Sequence, residues 1–188
     1  MKNIGFIIIG AIIVVLAGFS ITTYNSIITL EEEVDTEYSN ISVQLERRAD
    51  LIPNLVSTVK GYMAHEEKII KDITTARENL INANNISEKS KANNELTAAL
   101  NNLNVIVENY PDLKANENFI NLQDELAGTE NRISTARRDY NDAVKKYNTK
   151  IKTIPASFVA SMMGKEKKDY FEVSDKSKED VPEVDFNS

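Results

Sequence analysis

Cysteine is absent from all 188 residues. That excludes disulfides, thiolate zinc sites, cysteine nucleophiles and a lipid-modified N-terminal cysteine. It leaves the compartment open. Glycine (6) and proline (4) are scarce, which favours long helices over many-stranded sheets. Histidine occurs once, as His65. Its surroundings, AHEEK, are not HExxH, because no second histidine follows one turn on. Serine–histidine catalysis would rest on His65 alone, without the glycines of a nucleophile elbow. Di-metal sites in helical bundles want Glu-x-x-His on two helices, so their usual form is impossible here. Glu46, Glu66, Asp124, Glu125 and Glu130 read first as solvated or ion-paired carboxylates, and no cofactor is implied. The net charge of -7 makes nucleic acid a poor partner, since a phosphate backbone needs clustered Lys and Arg.

What the chain does have is a long apolar start. Residues 4–21 read IGFIIIGAIIVVLAGFSI, without a charge. As a helix they span roughly 27 Å, close to a hydrocarbon core of about 30 Å. The apolar character runs all round the helix, unlike a surface helix of a soluble domain. Residues 1–23 are therefore expected to be a transmembrane anchor, with the lipid bilayer as partner through residues 4–21. A cleaved signal peptide is the rival reading, with Val15-Leu16-Ala17 as a weak cleavage site. Lys2 precedes the span, and Glu31, Glu32, Glu33, Asp35 and Glu37 follow it. That charge balance places the short N-terminus in the cytoplasm and the remaining chain outside it.

Apolar residues then recur at helical spacing. Tyr24, Ile27, Val34, Tyr38, Ile41 and Leu45 form one stripe, which starts with no glycine or proline between it and the span. A second stripe runs from Ile52 to Leu80 and fades in the Asn-rich stretch NANNISEKSKANN. A third runs from about Glu88 through Ile106 and ends at Asn109-Tyr110-Pro111-Asp112. A fourth, from Phe119 to Ile151, is stopped by Pro155. Each stripe covers one face, so each helix must bury that face against others. The expected fold is all-α: an N-terminal transmembrane helix followed by an antiparallel, up-and-down four-helix bundle over residues 24–155. The stretch QLERRADLIPNLV suggests a break between the first two helices. Arg47 and Arg48 would lie in a last turn, Asp50 at an N-cap and Pro53 in a first turn. A continuous helix kinked at Pro53 is the alternative.

NISVQLERRADLIPNLVSTVKGYMAHE, Asn40 to Glu66, resembles the hallmark segment of the LemA family. NFINLQDELAGTENRISTARRDYNDAVKKYNTKI, Asn118 to Ile151, resembles its other hallmark, and the closing VPEVDF also fits. The resemblance implies one N-terminal membrane segment and an antiparallel four-helix domain without established enzymatic activity. It also implies links to envelope stress proteases or intracellular membrane organelles. Accounts of the family sometimes place the helical domain in the cytoplasm, against the charge pattern. Tyr38 stands where many relatives carry tryptophan.

The polar residues of the two blocks are the candidate site. Arg47, Arg48, Asp50 and Asn54 belong to the first. Glu130, Asn131, Arg132, Arg137, Arg138, Tyr140 and Asn141 belong to the second. They read as a register-setting hydrogen-bonded network, as a patch for a protein partner, or as ordinary solvated charges. A second candidate lies in residues 156–188, expected to be an amphipathic segment and a mostly disordered tail. Phe158, Val159, Met162 and Met163, followed by Lys165, Lys167 and Lys168, have the composition of a membrane-surface element; packing beneath the bundle is its plain alternative. Asn40-Ile41-Ser42 and Asn85-Ile86-Ser87 fit the glycosylation pattern, more often chance in an Asn-rich chain. The expected function is a non-catalytic scaffold or interaction partner at a membrane. The alternatives are a metal-dependent enzyme using clustered carboxylates and a binder of small peptidic or lipid ligands.

Overall fold

The first helix starts at the N-terminal apolar run and does not stop where the run does. In the computed structural model, which describes residues 2–63 and 65–172, α1 is a single helix, Lys2–Lys60. It is followed by α2 (Glu67–Asn82), α3 (Ile86–Val107), the one-turn α4 (Pro111–Lys114), α5 (Glu117–Lys152) and α6 (Ala156–Met162). The described residues contain no strand. VPEVDF lies outside the described residues.

Every described side chain from Ile8 to Thr22 is exposed. Polar groups within that run are satisfied locally: the Ser20 hydroxyl donates to the Leu16 carbonyl and that of Thr22 to Phe19. A helix of this kind leaves no backbone or hydroxyl group for water to satisfy, which is what a hydrocarbon environment demands. Burial begins abruptly at Thr23 and continues at Ile27, Val34, Ile41 and Leu45.

The expected break at Asp50–Pro53 is not there. Asp50 is exposed in mid-helix rather than at a cap, Arg47 and Arg48 are not in a last turn, and α1 continues for seven residues beyond Pro53. Proline has no N–H to give to the carbonyl four residues back, which is that of Ala49. Arg77 Nε on α2 supplies the missing donor, 2.8 Å from the Ala49 oxygen. Pro53 itself faces solvent. The continuous helix is thus sustained by a tertiary hydrogen bond. The true connection falls at Gly61–Glu66, about ten residues later.

The Asn-rich stretch also proves mostly helical. Only Ala83–Asn85 interrupts it. Asn85 caps α3 by accepting from the Glu88 N–H at 2.9 Å, while the Glu88 carboxylate accepts from the Asn84 N–H at 2.8 Å. Tyr110, before Pro111, is driven out of helical geometry (φ -125°, ψ 75°), so α3 ends where the proline predicts.

The chain divides into two units, Met1–Gln44 with Asn131–Tyr170 and Leu45–Glu130 with Phe171–Ser188. In the first, α1 and α5 run antiparallel. Glu33 pairs with Lys146, and Tyr38 meets Tyr140 with ring centroids 6.4 Å apart. In the second, the end of α1, α2, α3 and the start of α5 form four antiparallel segments. Arg47 pairs with Glu125 and Asn116 bonds Tyr62, Asn79 bonds Glu95, and Gln123 bonds Asn104. Their apolar faces meet through Ile52, Leu55, Ile73, Leu80, Leu96, Leu103 and Leu126.

The tail departs from its composition. Residues from Glu166 onward read as mostly disordered, yet 165–172, though without helix or strand, are bonded. In the first unit Asn148 Nδ2 donates to the Lys168 carbonyl and Asn148 Oδ1 accepts from the Lys168 N–H, both at 2.9 Å. In the second, the Ser90 hydroxyl donates to the Glu172 carbonyl.

Candidate functional site

In the second unit, the α1 stripe carries Arg48 seven residues after Ile41 and seven before Leu55. That is a seam position of a heptad, where an apolar residue is the norm. Arg48 is only 3% exposed. Its Nη1 donates to Asn93 Oδ1 on α3 at 2.7 Å and stands 2.6 Å from Glu130 Oε2 on α5. The contact to Glu130 is a close charge approach rather than a directed hydrogen bond, and Arg48 Nε finds no partner among the described residues. Burial pulls the Arg48 guanidinium below its ordinary value, and the Glu130 charge opposes that shift. The Glu130 side chain is 44% exposed, so one oxygen faces inward while the rest reaches water.

The other first-block residues lie outward. Arg47 and Glu125 form an exposed pair at 3.2 Å. Asp50 and Asn54 are exposed, and the Asn54 carbonyl accepts from the Thr58 hydroxyl. The structure therefore joins Arg48 to Glu130 but adds Asn93, which the sequence pattern hid inside a polar run. Arg77 was equally hidden.

In the first unit, Asn131, Arg132 and Arg138 are exposed, Arg137 and Asn141 half-buried and Tyr140 buried. Arg137 reaches Ser134 at 3.4 Å, and Arg138 reaches only its neighbour Asp139, at 3.7 Å. The Tyr140 hydroxyl donates to the Asp169 carbonyl at 2.8 Å, tying the tail to α5. Burial first, then the charge of Asp169, pushes this phenol up to about 12. Between α1 and α5 of the same unit lies an open groove of about 470 Å³, lined by Glu37, Asn40, Gln44, Asn131, Arg132 and Asp139 among others. Gln44 Oε1 is buried without a partner among the described residues.

A phenol whose folded pKa exceeds its unfolded one near 10 stabilises the fold below pH 10 and loses that contribution as pH rises toward 12. Melting followed from pH 9 to 12 is therefore expected to show an alkaline loss of about 2 kcal/mol, with Tyr140→Phe flattening much of it. Tyr147, raised by burial, and Lys165, Lys146 and Tyr110, raised by their hydrogen bonds to Glu31, Glu33 and Glu66, shift with the same sign, so the variant isolates the Tyr140 share alone.

The second candidate patch is regrouped. Phe158 (67% exposed) and Met162 (89%) face outward, with Ile154 (80%) just before them. Val159 and Met163 are half-buried. Lys165 and Lys168 turn inward: Lys165 Nζ lies 2.5 Å from Glu31, and Lys168 lies 3.7 Å from Glu31 and 3.6 Å from Asp35. Lys167 remains exposed, beside Lys152. His65 is exposed, and Glu66 accepts from the Tyr110 hydroxyl at 3.0 Å. Among the described residues no three His, Cys, Asp or Glu side chains group as metal ligands would.

Fold and site define a class: an all-helical, membrane-associated protein with one helix long and apolar enough to cross a bilayer. The chain belongs to the LemA family, whose model matches residues 37–186. It is 26% identical over 175 residues to the magnetosome protein MamQ 2 of Paramagnetospirillum magneticum, a match covering 79% of this chain. MamQ of Magnetospirillum gryphiswaldense is 24% identical over 174 residues, again 79% of this chain. Each match takes in 64% of the MamQ protein, so the chain corresponds to less than two thirds of those relatives. Protein LemA of Metamycoplasma hominis is 25% identical over 158 residues, which cover 84% of this chain and 72% of that one.

Proposed function

We propose that this chain is a single-pass, non-catalytic scaffold that holds a protein partner at a fixed place beside a membrane. Residues 4–21 cross the bilayer, the helical domain lies outside the cytoplasm, and the groove of the first unit receives the partner. The observation that carries this reading is the unbroken α1, which runs from lipid-suited residues into buried seam positions with no hinge residue between. A helix transmits position, whereas a flexible linker only limits distance. The groove pairs an apolar floor, with Val43 and Ala136, with charges of both signs from Glu37, Arg132 and Asp139, a mixture suited to a protein surface. The relatives named as magnetosome proteins support work on membrane-bound assemblies.

Because the chain has no cysteine, Asn131→Cys creates a unique attachment point on the rim of the groove. A membrane-impermeant maleimide carrying a photo-crosslinker is expected to label it in whole cells and to capture a defined protein. Charge reversal of Arg132 is expected to abolish that capture with no loss of thermal stability. Absence of labelling overturns the orientation; labelling without a crosslinked product overturns the scaffold.

A further inference from the structure

Within the first unit, the chain turns back at the level where α1 leaves its apolar run. Tyr38 faces Tyr140, so continuing the antiparallel register brings Ile151 level with Ile27 and Pro155 level with Thr23. The return leg then climbs again, through Lys165 at Glu31 to Lys168 at Asp35. At this level Thr23 is 3% exposed, although every described residue from 8 to 22 is bare. At a rise of about 1.5 Å per residue, Thr23 stands about 3 Å along α1 from Ile21. The interfacial layer beyond the hydrocarbon is roughly 5–8 Å deep, so the corner sits within it.

The corner is built unusually for a water-exposed turn. Ile154, Phe158 and Met162 are spaced four apart and all face outward, while Ala156 and Ala160 face inward and are buried. Beside this apolar face, Lys152 and Lys167 stand together in solvent. The two ammonium groups are close enough that Lys167 holds Lys152 below its ordinary value. Among the described residues no carboxylate pairs with either, although Lys165 and Lys168 in the same segment both found one. Two adjacent, unneutralised cations flanking exposed Ile, Phe and Met are the arrangement of an interfacial lipid contact.

We propose that the α5–α6 corner is a second membrane contact, in which Ile154, Phe158 and Met162 enter the headgroup layer and Lys152 and Lys167 share an anionic lipid phosphate. With α1 as one leg and this corner as the other, the helical domain is held at a set tilt and rotation about α1. The assignment rests on α1 crossing the bilayer.

The chain has no tryptophan, so Phe158→Trp in the full-length protein is a unique reporter. In nanodiscs containing phosphatidylglycerol and brominated lipid, its emission is expected to be blue-shifted and several-fold more quenched than that of Val105→Trp on α3. Adding Lys152→Glu and Lys167→Glu is expected to reduce the quenching, as is replacing the anionic lipid by phosphatidylcholine. Ile13→Trp, inside the span, separates the two failures. If Ile13→Trp is quenched while Phe158→Trp behaves like Val105→Trp, the corner stands in water and this assignment is overturned alone. If Ile13→Trp is unquenched, the anchor itself is overturned. Quenching of Phe158→Trp that ignores both the lysines and the lipid charge overturns the phosphate contact.

Discussion

Arg48→Ala is expected to lower the melting temperature of the detergent-solubilised protein by about 6–12 °C. The change removes a side chain from a seam flanked by Ile41 and Leu55, strips Asn93 of its donor and leaves the inner oxygen of Glu130 facing a void. Breaking one side of a buried ion pair costs about 3–5 kcal/mol. The lower figure applies here, because Glu130 is partly exposed and can turn toward water. About 3 kcal/mol in a chain of this size corresponds to that shift in melting temperature. Arg48→Met is the informative companion. It refills the seam but leaves Asn93 and Glu130 as unpaired as alanine does, so it should recover only the packing share, about 1 kcal/mol, and stay about 2 kcal/mol below the parent. The difference between the two variants measures the packing that the arginine's methylene stem supplies, separately from its charge. Arg48 stands opposite both Asn93 on α3 and Glu130 on α5. Equal, small shifts for both variants would show that the seam is not closed at this level.

That triad shows what could be read ahead and what could not. The apolar rows were legible because a helix face repeats: Ile27, Val34, Ile41 and Leu45, and Phe119, Ile133, Tyr140, Val144 and Tyr147, are buried where the spacing put them. The pairing of the two arginine-containing blocks was legible in part. Residue type and antiparallel order suggested only that polar residues of the two blocks could meet; nothing local singled out Arg48 and Glu130, or distinguished Arg48, which turns in, from Arg47, which turns out. Asn93 and Ser90 were hidden because hydrophobicity is the signal of burial, and theirs is a polar burial created by partners 45 and 82 residues away. Pro53 misled for a related reason. Its effect on the backbone is local and reads as a break, whereas its compensation by Arg77 comes from 28 residues downstream. The tail misled in the same way: a short, charged segment reads as solvated, but residues 166–172 are held by the buried Phe171 and by hydrogen bonds to Asn148, Tyr140 and Ser90.

Asn25→Pro is expected to uncouple the membrane segment from the helical domain. Position 25 lies between the last bare residues of α1 and the buried Ile27. Proline there removes the N–H owed to the Ile21 carbonyl and drives its ring against that same oxygen, at a cost of about 3 kcal/mol or more. No arginine stands ready to rescue Ile21 as Arg77 rescues Ala49, because that carbonyl is at the edge of the apolar run. The hydroxyl of Thr29 already bonds the Asn25 carbonyl at 3.0 Å, which adds to the local bend once the ladder opens. The helix therefore yields at this point by a kink of more than about 20°. Spin labels at Gly18→Cys and Val43→Cys measure it, since no other thiol competes. A continuous helix sets them about 38 Å apart along the axis. The parent protein should give one narrow distance distribution near that value, and the proline variant a shorter and broader one. The scaffold reading ties this geometry to function: with the kink present, capture of the partner through Asn131→Cys should fall even though the groove residues are untouched. A proline variant that kept both the narrow distance and the capture would place the control of position in the α5–α6 corner rather than in α1.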